Sequence, residues 1–150
     1  IVEALKQSYD FLDDRRPKGV DVLARAAAAM GAEEALPVLS QRLLDPSTPP
    51  GALKEIVASV AQLGGAKSVR PLRELLLLYR SDPAWTSDPE ALRRAGEALI
   101  KHGGEPGRRT VQFVALSPRT LPPVAGHFTK LLVETAPKPL AAAVPTPKAK

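Results

Sequence analysis

The sequence predicts an all-α fold: an α-solenoid of about seven to eight helices stacked as antiparallel pairs. Three observations carry this expectation. Apolar residues recur at i, i+3, i+4 and i+7 through segments that close at Gly31, Gly64 and Gly103, which lie 33 and 39 residues apart. Proline-rich stretches stand between the paired segments. Aromatic residues make up 4% of the chain and apolar residues 44%, a balance that favours Ala- and Leu-rich helices over a β-sandwich.

The first element is a helix carrying Val2, Leu5, Tyr9 and Leu12, taken as part of a preceding unit within residues 1–18. "RRPKG" (Arg15 to Gly19) ends it. Val20, Leu23, Ala24, Ala27 and Met30 then form the apolar face of a helix closed by Gly31. The same face returns as Leu53, Ile56, Val57, Val60 and Leu63 before Gly64, and as Leu92, Ala95, Gly96, Leu99 and His102 before Gly103. Each glycine is expected to be a left-handed helix C-cap.

A second helix follows each glycine. Leu36, Leu39 and Leu43 correspond to Val69, Leu72 and Leu76, and Leu72, Leu75 and Leu76 to Val111, Val114 and Ala115. Taken alone, "TVQFVAL" (Thr110 to Leu116) alternates like a strand, but register with the earlier pairs makes it a helix. Val124, His127, Phe128, Leu131 and Leu132 repeat the first-helix face once more. Between pairs, "DPSTPPG", "SDPAWTSDPE" and "SPRTLPP" supply proline where a helix must stop or start. Ser87 and Glu90 have capping-box spacing, and Asp88 before Pro89 offers an alternative cap. Pro37 and Pro71 fall near the starts of second helices. The loop around Trp85 accounts for the longer period.

Each pair carries too much apolar surface to stand alone, so neighbours must stack into one core. These helix–glycine–helix units, over residues 19–135, resemble HEAT repeats, particularly the short bacterial kind related to phycobilisome-lyase-like HEAT repeats. A tetratricopeptide array is the competing architecture, but its tryptophan–leucine–glycine–tyrosine pattern is not found. Residues 136–150, rich in Pro, Ala and Lys, are expected to be a disordered or extended linker. With a start at Ile1 and an end in a linker, the chain is expected to be a domain of a larger protein.

Several functions are disfavoured by what the residues lack. There is no cysteine, so disulfides and thiolate chemistry are absent, although the compartment stays open. "AQLGGAKS" (Ala61 to Ser68) ends like a phosphate-binding loop, but Ala61 and Ala66 stand where that motif needs glycine. His102 and His127 are isolated and read as structural, His127 at a core-facing position. Asp13-Asp14 and Glu33-Glu34 are adjacent pairs whose side chains diverge on a helix. Neither cofactor nor metal is expected.

Lys138, Lys148 and Lys150 supply three of the five net positive charges, leaving +2 for residues 1–136. That is a weak footprint for a nucleic-acid binder. Arg93, Arg94, Lys101, Arg108 and Arg109 cluster in the third unit, with Arg119 and Lys130 beyond. Glu90, Glu97 and Glu105 are interleaved, so a salt-bridged face is expected, with Glu90–Arg94 and Glu97–Lys101 pairs.

The family resemblance implies that second helices line an inner, concave surface. By that resemblance Arg42, Arg70, Arg73, Arg108 and Arg109 are the candidate partner contacts. Leu75 to Tyr79 wraps around its helix, as core or as docking patch, with core favoured. Trp85 either covers the core edge, the favoured reading, or anchors a partner, and is kept as a candidate contact.

The expected function is therefore a non-catalytic scaffold or adaptor that binds a protein of unknown identity on its second-helix face. The alternative is a nucleic-acid-binding HEAT-like protein of the DNA-glycosylase type, with the low charge and scarce aromatics against it. A maturation accessory for a chromophore or metal enzyme rests on the lyase-like resemblance alone. No apolar run approaches a membrane span, and a soluble domain is expected, cytoplasmic by default. Oligomeric state is left open.

Overall fold

The computed structural model describes residues 1–7 and 19–136. Tyr9, Leu12, the Asp13-Asp14 pair and the expected linker from Pro137 onward lie outside the described residues. Among the described residues every regular element is helical. The order is α1 (Val2–Gln7), α2 (Val20–Ala29), α3 (Leu36–Leu44), α4 (Pro50–Gly64), α5 (Val69–Tyr79), α6 (Glu90–Leu116) and α7 (Pro122–Glu134). Short 3-10 turns, Glu33–Ala35, Gly65–Ser68 and Pro83–Trp85, join them.

Local chemistry sets the boundaries. Proline occupies the first turn of α3, α4 and α7, where a missing N–H costs nothing. In the loop before α4, Asp45 Oδ1 accepts from the Ser47 amide at 2.9 Å and its hydroxyl at 2.7 Å. Asp82 accepts from the Ala84 amide at 2.9 Å, which starts the turn that carries Trp85. The Ser87–Glu90 capping box does not form; Asp88 Oδ1 accepts from the Glu90 amide at 3.2 Å instead.

Two expected caps shift by one residue. Gly31 is left-handed, with φ 64°, but at the next two breaks the positive φ belongs to Gly65 (47°) and Gly104 (56°). Gly64 stays helical for a different reason: a Cβ there would stand 3.0 Å from Ser68 Cβ and 3.1 Å from Leu36 Cδ1. Its missing side chain lets the start of α3 pack against the end of α4.

At Gly104 the helix α6 bends into two arms, residues 90–103 and 105–116, which form the expected third pair. "TVQFVAL" lies wholly in the second arm and is helical. The bend is so sharp that a Cβ on Gly107 would lie 1.9 Å from the carbonyl oxygen of Leu99.

The helices contact one another in two rows. One row runs α2–α4–α6–α7, the other α1–α3–α5–α6, and α3 packs across on α4. The first arm of α6 extends the first row, where Arg94 reaches Glu55 of α4 at 3.9 Å. The second arm extends the other, flanking α5. Contacts between neighbours in this sequence are what burial of successive apolar stripes demands.

A single apolar cluster runs from Leu5 through Leu39, Ile56, Leu72, Leu76, Leu99 and Val111 to Phe128 and Leu131. Fully burying a side chain of this size contributes about 1.5–3 kcal/mol. The stripe is narrower at its ends than the sequence suggests. Met30 is 72% exposed, because α2 ends at Ala29, and His127 is exposed while its neighbour Phe128 is buried. Gly96 makes room for that ring: a Cβ there would meet Phe128 Cε1 at 2.8 Å. In the leucine run, Leu75 and Leu76 are buried, Leu77 is half-buried and Leu78 exposed.

On the first arm of α6 the expected salt-bridged face is present with one exchange of partners. Glu90 accepts from Arg93 Nε at 2.9 Å and from Arg94 Nε at 2.8 Å. Glu97 pairs with Arg93 rather than Lys101. The hydrogen bonds from Arg93 and Arg94 hold the Glu90 carboxyl down to about 2, and Glu90 in turn raises Arg93.

Candidate functional site

The six candidate contacts separate into two groups. Arg42 is 3% exposed. Its Nη2 donates to the Leu5 carbonyl at 2.9 Å, and Nη1 lies 3.4 Å from Asp45 Oδ2. Thr48 Oγ1 then donates to the Arg42 carbonyl at 2.8 Å. Arg42 is therefore a buried clamp that ties α1 and the α3–α4 loop to α3, not a surface contact. Arg42 is buried on α3 together with Leu39 and Leu43.

Trp85 is also internal. It is 4% exposed and meets Tyr79 edge-on, with ring centroids 5.7 Å apart at 62°. The insertion covers the end of α5, and the partner-anchor reading of Trp85 is set aside. Burial raises the Tyr79 hydroxyl above its usual range, assisted by Asp82 and Asp45.

Arg108 closes the C-terminal end of α7. Nη2 donates to the Leu132 carbonyl at 2.7 Å, and Nη1 to the Thr135 carbonyl at 2.9 Å. Helix-end carbonyls without intrahelical partners are natural acceptors for a guanidinium. This residue, too, is structural.

Arg70, Arg73 and Arg109 remain exposed on the second-helix row. Arg70 lines a shallow groove between α3 and α5 with Leu36, Leu44 and Pro71, and pairs with Glu74 at 3.0 Å. Arg73 and Arg109 come together across the next groove, between α5 and the second arm of α6. That groove has a volume of about 500 Å³ and is completed by Leu77, Arg80, Thr110 and Phe113.

Arg80, Thr110 and Phe113 were not among the candidates. Arg80 places its guanidinium carbon 5.8 Å from the centre of the Phe113 ring and donates from Nη1 to the Leu77 carbonyl at 2.9 Å. A sequence signal did exist for Phe113. Once Val111 and Val114 face the core, helical geometry leaves Gln112 and Phe113 between them outside it.

The arrangement offers guanidinium donors beside apolar surface. Among the described residues no group of three or more His, Cys, Asp or Glu is placed to hold a metal ion. None of the described helices is long and apolar enough to cross a membrane. No protein-family model, curated protein or solved structure matches this chain.

If Arg42 is a clamp, replacing it must cost stability and not merely recognition. Arg42→Ala removes the buried donor to the Leu5 carbonyl and the ion pair with Asp45, and is expected to lower stability by about 2–3 kcal/mol. Arg70→Ala, at an exposed pair, is expected to stay within about 0.5 kcal/mol. Urea unfolding of the two variants beside wild type checks this. Equal midpoints would return Arg42 to the surface.

Proposed function

We propose that this chain is a HEAT-like helical-repeat module without catalytic activity, which recruits another protein through its second-helix face. The reading is supported chiefly by one observation: Arg70, Arg73 and Arg109 stand exposed along consecutive grooves that α3, α5 and the second arm of α6 border. Grooves between packed helices suit an extended or helical segment of a partner, with apolar floor for affinity and fixed charges for register. The grooves are open and apolar-walled, and the Glu90 carboxyl, held down to about 2, belongs to the ion pairs on the opposite row. An adaptor fitted this way has its specificity in the rim and its rigidity in the shared core.

Affinity capture with wild-type protein and with an Arg70→Glu/Arg73→Glu variant tests the proposal. At least one captured protein is expected to be lost with the double variant and retained with Arg25→Glu, on α2 in the other row. Equal recovery of every captured protein from both would remove the second-helix face from consideration.

A further inference from the structure

We propose that the groove between α5 and the second arm of α6 receives an acidic peptide segment carrying a bulky apolar side chain. This rests on the reading of the second-helix face as a protein-binding surface and names what binds there.

The chemistry is specific to this groove. Three guanidinium groups, Arg73, Arg80 and Arg109, border it and no carboxylate lines it. Arg73 has no hydrogen-bond or ion-pair partner among the described residues, whereas Arg70 in the adjoining groove is already engaged by Glu74. Arg80 also borders the groove, its Nη1 fixed by the Leu77 carbonyl at 2.9 Å and its guanidinium set against Phe113. Arg109 is held by Glu105 at 3.3 Å in a pair that is 76% and 64% exposed, which a better-buried carboxylate can outcompete. Between the arginines the Phe113 ring is 56% exposed, and Leu116, one turn on, is 75% exposed. An apolar side chain seated on Phe113 and Leu77 would exclude water from the guanidinium groups and strengthen their bonds to flanking carboxylates.

Charge complementarity argues against two other occupants. The chain's own segment 137–150 carries Lys138, Lys148 and Lys150 and no acidic residue, so the arginine rim repels it. A nucleic acid would supply anions, but its continuous phosphates would run past Glu105, paired with Arg109 at the groove rim, and Glu74, paired with Arg70 in the adjoining groove. Spaced carboxylates on a peptide avoid both.

The test is selection of short random peptides displayed on phage against the immobilised full chain, followed by fluorescence anisotropy with a labelled enriched peptide. Enriched sequences are expected to place Asp or Glu beside Phe, Leu or Trp. Binding is expected to weaken about tenfold or more with Arg73→Glu and with Phe113→Ser, both surface changes, and to be unchanged with Arg70→Glu. Enrichment of basic or uncharged peptides, failure to enrich any sequence, or equal binding by Phe113→Ser overturns the inference. Tighter binding of labelled oligothymidylate than of the peptide overturns it in favour of nucleic acid. Peptides that lose affinity with Arg70→Glu but not with the groove variants leave the second-helix face as a protein site and remove only this occupant.

Discussion

Gly107→Ala is expected to destabilise the fold by about 3 kcal/mol or more, although alanine is the better helix former by up to about 1 kcal/mol. The reversed sign follows from the bend in α6. The added methyl would sit 1.9 Å from the Leu99 carbonyl oxygen and 2.6 Å from its carbon. Both are backbone atoms, so no rotamer change relieves the clash and the two arms must move apart. Gly126→Ala is the matched control, since it lies in α7 with nothing within 4 Å of a new Cβ. That variant is expected to be neutral or slightly stabilised. Thermal unfolding of the two distinguishes them, with a drop of about 10 °C for the first and none for the second. Equal midpoints would mean that the arms do not cross so closely.

The second large effect is at Leu72. It is fully buried in α5, between the rows, with Leu75 and Leu76 beside it in the same cluster. Leu72→Ala is expected to cost about 2–5 kcal/mol, set by how far the neighbouring helices close over the lost volume. Leu78→Ala, on the same helix but 51% exposed, is expected to change stability by less than about 0.5 kcal/mol. Denaturant unfolding should give one cooperative transition for each variant, with only the first midpoint lowered. A Leu72→Ala midpoint matching wild type would place that face in solvent.

The helices were legible because their signals are local. Apolar spacing, a glycine at the reversal inside each pair and proline in the first turns of α3, α4 and α7 act within a few residues, and the same spacing resolved Thr110 to Leu116 as helix. Uses of a residue set by distant chain were not legible. Arg42 looks like a surface arginine until the Leu5 carbonyl, 37 residues earlier, is placed beside it. Arg108 acquires its role from carbonyls 24 and 27 residues later. Gly107 gives no sequence sign that it serves a backbone crossing rather than a cap. For the same reason two of the five arginine candidates, Arg42 and Arg108, are engaged within the fold: sequence period separates a helix's faces but does not show which charged groups a neighbouring helix end consumes. Arg80 and Phe113 came into view only when α5 and the second arm of α6 were set side by side.

The buried indole at the end of α5 has a practical consequence. Trp85 is the sole tryptophan of the chain, held away from water against Tyr79 next to the helix that borders the arginine groove. Its native emission is therefore that of an apolar surrounding and shifts to the red when solvent reaches it. The protein carries its own optical gauge for the junction of α5 and α6, positioned where the loss of either helix is reported without any attached dye.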